Sequence, residues 1–470
     1  MERKNAWEKY PVGEKRDAVM DFAEGYRKFI SECKTERECV TYTIAMAEKA
    51  GFVNLDTIIA NGGTLKAGDK VYANNMGKGL ALFVMGKKSL EAGMSILGAH
   101  IDSPRLDLKQ DPLYENTDFA LLDTHYYGGI KKYQWVTLPL ALHGIIVKKD
   151  GTVVNVNVGD KPGDPVFGIT DLLPHLAADQ MEKKAGKIIE GENLDVLIGS
   201  IPVDDSDKED KDKAKEKVKA NIMNLLTAEY GIEEEDFLSA EIEVVPAGDA
   251  RDYGFDRSMI MGYGHDDRVC AYPSYAAIAD MVDPEYTSVC LLVDKEEIGS
   301  VGASGMQSRF FEDTVAEVMN LAGEYSELNL RRCLSRSTML SSDVSSAYDP
   351  SFASCFDKKN VAYMGGGMVF NKFTGSRGKS GSNDANAEYI AHLRDILEKE
   401  NVNFQTAELG RVDLGGGGTI AYILATYGMN VIDSGVAVMN MHAPWEATSK
   451  ADVYETYRGY MAFAKLAKNI

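Results

Sequence analysis

From about Gly254 to its end, the chain alternates between apolar segments of strand length and amphipathic segments of helix length. Apolar runs such as "TSVCLLVD" and "STMLSSD" are separated by helix-like stretches such as "RFFEDTVAEVMNLAG". This alternation is typical of α/β folds, in which helices cover the faces of a sheet. It excludes an all-helical or all-β architecture for this part of the chain.

The rest of the chain divides into two parts with different sequence patterns. Two helix-like stretches, with apolar residues at near-helical spacing, precede short β-rich pieces that end in "MSILGAHID". From about Pro104 strands dominate, and Asp150-Gly151 predicts a hairpin turn. We therefore expect an α/β domain from residues 1–103 and 254–470, interrupted by a β-rich insertion, 104–253. Within the insertion, the mixed charge run 204–221 predicts a solvated loop leading into a helix.

Charge and composition exclude several classes of partner. Lys and Arg number 51 against 72 Asp and Glu, for a net charge of -21, which argues against nucleic acids and anionic membrane surfaces. The sequence starts without an apolar signal core, and no run approaches the roughly 20 apolar residues that span a bilayer. The six cysteines are scattered without CxxC spacing, as expected in a reducing compartment. We expect a cytoplasmic protein.

Several apolar strands end in residue types that bind metals. The candidates are His100 and Asp102 in "ILGAHIDSP", His265, Asp266 and Asp267 in "MIMGYGHDDR", Glu296 and Glu297 in "LLVDKEE", Asp343 in "TMLSSD", and His442 in "AVMNMH". In open α/β sheets, ligands bind in the crevice at the carboxyl ends of the strands. A single carboxylate after a strand is more often a turn or cap residue, but five strand ends together predict one metal site.

The spacing suggests a role for each residue. Residues i and i+2 of a strand share a face, so Asp102 can orient His100 by accepting a hydrogen bond from its free ring nitrogen. Adjacent Glu296 and Glu297 can diverge, one binding metal and the other acting on water. A paired metal site would divide into His100, Asp266 and Asp343 for one ion and Asp266, Glu297 and His442 for the other. Glu296 is then left as the general base.

Other residues favour structural interpretations. We expect His265 to be structural, His392 to be a helix residue, His143 a strand residue, His125 a loop residue, and Asp267 and Asp349 turn or cap residues. The stretch "LGGGGTIA" lacks the signatures of a phosphate loop, so we expect a loop whose backbone approaches a substrate. The serines of "STMLSSDVSSAYDP" lack a nucleophile elbow, which argues against serine hydrolysis.

Five ordered motifs carry a resemblance to a known family. The segments "GAHIDSPRLDLK", "GHDDRVCAY", "KEEIGSVGASG", "SSDVSSAYDP" and "MNMHAPWE" resemble those of zinc aminopeptidases of the aspartyl aminopeptidase and aminopeptidase I family. The insertion adds "HYYGGIKKYQW" and "LLPHLA", so the resemblance covers nearly the whole chain.

The resemblance implies a fold and a metal site. The fold is a mixed-sheet α/β/α catalytic domain of the zinc-exopeptidase type with an inserted β-rich dimerisation domain. The cofactor is a pair of divalent ions, expected to be Zn²⁺ with Co²⁺ or Mn²⁺ as alternatives. The implied ligands are His100, Asp266, Glu297, Asp343 and His442, with Glu296 as base and Asp102 as the orienter of His100.

The resemblance also implies partners and substrate-binding residues. Members form dimers that assemble into a tetrahedral dodecamer, and the position of His175 reaches a neighbouring subunit's active site. Lys372 is a candidate for contacting the substrate's first side chain or carboxylate, and Gly416 and Gly417 for the peptide with its free N-terminus. Asp267 stands where many members have Asn, and the segment around Lys372 resembles the family only loosely, so the preferred N-terminal residue stays open.

The sequence therefore predicts a metalloaminopeptidase that removes N-terminal residues with metal-activated water and a Glu base. Two alternatives stay open: a di-metal deacylase or carboxypeptidase of related fold, and a catalytically silent assembly protein stabilised by metal. The "PHLA" and "YGG" motifs argue against the first. The presence of Glu296 argues against the second, because a structural site needs no spare carboxylate.

Overall fold

The computed structural model describes residues 4–204, 206, 214–375 and 378–468. The chain forms two compact units. The first comprises the described parts of Met1–Ser103, Ala250–Met441 and Glu446–Ile470, and the second comprises those of Pro104–Asp249 and His442–Trp445.

Twenty strands and eleven α-helices are present in the described residues. The strands are β1 Val53–Asn54, β2 Lys70–Asn75, β3 Gly79–Val84, β4 Met94–His100, β5 Arg105–Asn116, β6 Phe119–Tyr127, β7 Leu140–Val147, β8 Val153–Val158, β9 Val196–Gly199, β10 Ala240–Pro246, β11 Arg251–Tyr253, β12 Met259–Gly262, β13 Thr287–Val293, β14 Thr338–Ser342, β15 Ser345–Ser346, β16 Met368–Asn371, β17 Phe404–Thr406, β18 Asn430–Gly435, β19 Ala437–Met439 and β20 Glu446–Ser449. The helices are α1 Glu14–Glu32, α2 Glu36–Lys49, α3 Leu55–Ala60, α4 Ala178–Met181, α5 Lys217–Tyr230, α6 His265–Ala279, α7 Phe310–Leu321, α8 Glu327–Arg336, α9 Ala387–Lys399, α10 Ala421–Ala425 and α11 Lys450–Leu466.

The first unit is organised by a nine-stranded mixed sheet. Its order is β1-β2-β3-β13-β4-β14-β18-β16-β17. The four central strands β13, β4, β14 and β18 are parallel, whereas β3 and β16 on either side run antiparallel to them. The register pairs Val293 with His100, so the strands that precede the adjacent glutamates and Asp102 end side by side.

Both faces of this sheet are buried, as expected when helices cover a parallel core. One face packs Leu97, Leu292 and Ile432 into a cluster with residues of α1, α2, α6, α9 and α11. The other packs Ile96 and Val431 against α3, α7, α8 and α10. The arrangement is an α/β/α layer structure.

A small five-stranded sheet lies in the same unit, in the order β11-β12-β20-β19-β15. Strand β12 ends just before α6, which carries Asp266, and β15 starts two residues after Asp343. Strand β20 pairs antiparallel with β12, so that Glu446 is opposite Gly262. The small sheet therefore connects the segments that flank two predicted ligands.

The second unit is built on a six-stranded antiparallel sheet in the order β8-β7-β10-β5-β6-β9. Strands β7 and β8 form the predicted hairpin, and the side chain of Asp150 accepts a hydrogen bond from Thr152 N at 2.9 Å in its turn. The prediction that His125 is a loop residue was wrong, because it lies in β6 opposite Asp107 of β5.

The predicted fold class, an α/β domain with a mixed sheet and a β-rich insertion, is confirmed. The boundaries 103/104 and 253/254 and the dimerisation role stay predictions. In the charge run 204–221, residues 205 and 207–213 lie outside the described residues, and α5 starts at Lys217. Among the helices described, none combines the length and apolarity needed to cross a membrane.

The close approach of β18 to Asp343 gives a testable consequence. Asp343 N donates to Ser434 O at 3.0 Å, and a Cβ added at Gly435 would overlap the carbonyl oxygen of Asp343. We expect Gly435→Ala to lower the melting temperature, because backbone overlap costs about 1–3 kcal/mol. Gly186→Ala is the control, since a Cβ there meets nothing within 4 Å. Equal melting temperatures of the two variants in a thermal scan would contradict this expectation.

Candidate metal centre

His100, the last residue of β4, lies at the centre of the predicted site. Its Nε2 atom is 3.2 Å from Asp266 Oδ1 and 3.9 Å from Asp343 Oδ1. Its Nδ1 atom lies 3.0 Å from the backbone carbonyl oxygen of Asp102 and 3.3 Å from the carboxylate Oδ1 of the same residue. One ring nitrogen is thus oriented by Asp102 while the other faces two carboxylates, which is how metal-binding histidines are usually held.

The carboxylate of Asp102 has a different main contact from the one expected. Its Oδ1 accepts a hydrogen bond from Glu296 N at 3.1 Å, and its Oδ2 accepts one from Glu297 N at 3.2 Å. The shorter contact of His100 is to the Asp102 carbonyl. Asp102 therefore fixes the short 3₁₀ turn Glu296–Ile298 as well as the imidazole.

The two adjacent glutamates lie in different groups of potential ligands. One group comprises His100, Asp266 and Glu297, and the other comprises His100, Glu296 and Asp343, with ligand atoms within 4.8 Å of one another in each. The turn makes this divergence possible, because Lys295 before it has a left-handed conformation (φ 69°). These groups divide differently from the expected ion sites, since Asp266 lies with Glu297 and Asp343 lies with Glu296. The assignment of ligands and base stays a prediction.

Backbone contacts hold the two aspartates. Asp266, in the first turn of α6, donates its N–H to Glu446 Oε2 at 3.1 Å, and its carbonyl oxygen accepts a hydrogen bond from Ser103 Oγ at 2.7 Å. Asp343 follows β14 directly, and its N–H bonds to β18 as described above. Glu446 and Ser103 were not predicted as site residues. Their positions within the motifs "MNMHAPWE" and "GAHIDSPRLDLK" could have indicated that they belong to the site.

Burial and like charges strongly perturb this site. Burial, together with the charges of Asp343 and Asp266, raises the pKa of Glu296 to about 8, and burial also raises the pKa of Asp343. Burial lowers the pKa of His100, but hydrogen bonds to Asp102, Asp266 and Asp343 outweigh it and raise that pKa well above its ordinary value. Carboxylates collected in this way are stable as anions only with positive charge between them.

The donor set fits a divalent metal. One imidazole and four carboxylates, from Asp266, Glu296, Glu297 and Asp343, are the donor types of zinc sites, and carboxylate-rich sites also accept manganese. The neighbouring His265 is a structural residue, as predicted, since it is fully buried and its Nδ1 lies 2.6 Å from the Tyr26 hydroxyl.

Two predicted histidines belong to the second unit. His442 Nδ1 lies 2.9 Å from the carbonyl oxygen of Gly129, and neither ligand group includes His442. His175 lies in a short 3₁₀ helix, Pro174–Leu176. Their roles stay predictions.

The predicted substrate-binding residues of the first unit lie on loops. Lys372, just after β16, is half exposed, and its Nζ donates to the carboxylate of Asp384. It also lines a cavity of about 270 Å³ with Phe370, Phe404 and Arg394. Gly416 has φ 106°, and Gly417 N donates to Thr374 O at 3.0 Å. The structure places none of these three in a ligand group.

Comparisons with known proteins support this chemistry. The sequence model of a family described as "Aminopeptidase I zinc metalloprotease (M18)" matches residues 29–464. "Probable M18 family aminopeptidase 1" of Clostridium acetobutylicum is 64% identical over 98% of each chain, and the Thermotoga maritima protein of the same name is 43% identical over 98% of each. A crystal structure of aminopeptidase I from C. acetobutylicum superimposes with a TM-score of 0.91 at 63% identity and 99% coverage of both chains.

Asp102 can be tested through its hydrogen bonds to the turn. An asparagine has one acceptor oxygen and cannot accept from both Glu296 N and Glu297 N. We expect Asp102→Asn to weaken zinc binding roughly 10- to 100-fold, as measured by titration with a chelating indicator. Asp349→Asn is the control, because Asp349 is a cap residue that bonds Ser351 N at 2.8 Å. Unchanged zinc affinity in Asp102→Asn would contradict the positioning role.

The raised pKa values predict how zinc stabilises the protein at different pH. Without metal, the folded chain binds more protons at Glu296 than the unfolded chain between about pH 4.5 and 8, so stability falls as pH rises through this window. Zinc should remove this penalty, and the gain in melting temperature on adding zinc should be larger at pH 7.5 than at pH 5. The same gain at both values, or an equal gain in His100→Ala, would contradict this assignment.

Proposed function

Because the chain belongs to the M18 family of aminopeptidase I zinc metalloproteases, we propose that it removes N-terminal residues from peptides with two divalent ions and with Glu296 as general base. The observation that carries the proposal is the divergence of adjacent Glu296 and Glu297 into two ligand groups that share His100. A site with one carboxylate for metal and a second for proton transfer needs this arrangement.

We propose that His100, Asp266 and Asp343 hold one ion. Support comes from the two contacts of His100 Nε2, at 3.2 and 3.9 Å. Asp266 and Glu297 would contribute to the second ion, and the assignment of His442 to it stays a prediction from the sequence. Zinc held by such ligands polarises a carbonyl group and makes water a better nucleophile at neutral pH.

The residues of the chain then perform the proton transfers. The Glu296 carboxylate takes a proton from the attacking water and returns it to the nitrogen of the leaving amine. Asp102 holds the backbone of Glu296 in place, so the carboxylate keeps its position during both transfers. Recognition of the free α-amino group is assigned to the loop of Gly416 and Gly417, and recognition of the first side chain to Lys372.

We also propose that the chain forms a homo-oligomer through its second unit. Leu172, Leu173, Leu176 and Met181 surround His175 in the sequence and expose between 50 and 71% of their surface. Large apolar side chains exposed together are typical of protein interfaces. The size of the assembly and a contribution of His175 to another subunit stay predictions.

The general base can be tested with Glu296→Gln. We expect kcat for aminoacyl-p-nitroanilides and short peptides to fall by roughly 10²- to 10⁴-fold, with zinc content unchanged, because the amide cannot accept the proton. Glu327→Gln, on the exposed surface of α8, is the matched control and should keep full activity.

Three results would contradict the proposal. Equal turnover by Glu296→Gln would remove Glu296 from the role of base. Cleavage of N-acetylated peptides at the rate of free ones would favour a deacylase or carboxypeptidase. If the wild type showed no turnover and its assembly were lost when a chelator removed the metal, a silent assembly protein would be favoured.

A further inference from the structure

The glycine-rich loop, Gly415–Gly418, is tightly packed at its start, which we call its base, and has free space beside its later glycines, which we call its tip. At its base, Gly415 N donates to Arg411 O at 2.7 Å, and a Cβ on Gly415 would overlap the carbonyl oxygen of Leu409. At its tip, a Cβ on Gly417 or Gly418 would meet nothing within 4 Å. The tip thus has room beside its backbone.

Within the described residues, two hydrogen bonds connect the tip and the residue after it, Thr419, to other parts of the first unit. Gly417 N donates to Thr374 O at 3.0 Å, and the Thr419 hydroxyl donates to Asp433 Oδ1 at 2.5 Å. Four successive glycines lose more conformational entropy on ordering than any other four residues would. The conformation of the tip therefore depends strongly on these bonds, and only the second comes from a side chain.

Asp433 is an unusual residue at its position. It lies inside β18, is 2% exposed, and has apolar neighbours Val431 and Ile432 in the same strand. Burial raises its pKa to about 8, and the bond from Thr419 opposes that shift. A well-packed apolar residue would often be at least as stabilising at such a site. A role beyond stability accounts for a carboxylate there.

The register places Asp433 next to the metal centre. It pairs with Ser341 of the parallel strand β14, and Asp343 directly follows Ser342, the last residue of that strand. Neighbouring strands of a sheet lie about 5 Å apart, so Asp433 is close to the segment that carries Asp343. Across β16, Asn371 pairs with Asp433 and is also buried. Asp433, which holds the tip through Thr419, is thus buried in the central sheet beside the strand that Asp343 follows.

We propose that Asp433 is a positioning residue for peptide binding: through the Thr419 hydroxyl it holds the tip, Gly416–Gly418, in the conformation that receives the main chain of the substrate. The proposal rests on the proposed aminopeptidase function. It assigns Asp433 an effect on KM and leaves proton transfer and metal binding to other residues.

The test uses the full-length, zinc-loaded protein and a change at Thr419. Thr419→Val keeps the shape of the side chain and removes the hydroxyl. We expect KM for a free N-terminal peptide to rise roughly 10-fold, as for the loss of one partner of a buried hydrogen bond, with kcat within about threefold of the wild type. Thr419→Ser retains the hydroxyl and should restore KM. Hydrogen exchange of the segment 411–420 should be faster in Thr419→Val than in Thr419→Ser.

The matched control is Thr426→Val. The Thr426 hydroxyl, at the other end of α10, donates to the carbonyl oxygen of Ile423 at 2.5 Å and does not contact Asp433. Its loss should leave KM unchanged. In a double-mutant cycle, Asp433→Ala and Thr419→Val should be non-additive in KM, whereas Asp433→Ala and Thr426→Val should add.

The outcomes separate the two proposals. An unchanged KM in Thr419→Val would overturn the positioning role, and so would a lowered melting temperature with unchanged KM. A fall in kcat together with zinc loss would also overturn it, because the anchor would then act on the metal. If the wild type released no N-terminal residue, the proposed function would fail; equal exchange of the segment 411–420 in both Thr419 variants would refute the anchor on its own.

Discussion

The rest of the structure depends on the electrostatic balance at one edge of the central sheet. Five carboxylates, from Asp102, Asp266, Glu296, Glu297 and Asp343, collect around a single imidazole that is almost fully buried. Alone, such a set would repel itself or take up protons. The fold nevertheless holds the groups in place through hydrogen bonds to the backbone of Asp266, Glu296, Glu297 and Asp343. An arrangement that is unfavourable without a cation is a strong physical argument for a protein that keeps one there.

Asp102 shows how a few atoms organise this edge. A carboxylate has two oxygens, and each accepts a hydrogen bond from one of two successive backbone N–H groups. The turn after β13 is thereby fixed relative to the end of β4, the strand that carries His100. Two adjacent glutamates can then face different neighbours without any irregularity within the strand that precedes them.

Part of this could be predicted from the sequence. Strand periodicity and the shared edge of parallel strands bring His100 and Asp343 together. Asp266 instead follows β12 of the small five-stranded sheet, which the periodicity of the central strands does not place. The hydrogen bonds of Asp102 could not be predicted, because its partners lie 194 and 195 residues further along the chain. His125 was misplaced because it follows the polar residues Asp123 and Thr124, yet β6 continues through it to the buried Tyr127. The role of Asp433 could not be predicted from the sequence. Its partner Thr419 follows a run of glycines, and whether the two residues meet depends on the conformation of that loop.

The small five-stranded sheet has a consequence for kinetics. The segments that carry Asp266 and Asp343 both adjoin it, on β12 and β15. The backbone positions of Asp266 and Asp343 are therefore tied to strands of this sheet. If an ion is held between them, its exchange would be coupled to local opening of that sheet, as for other cooperative units within a fold. The lifetime of the ion would then follow the stability of the small sheet, and strand substitutions far from any ligand atom would change how fast the metal leaves.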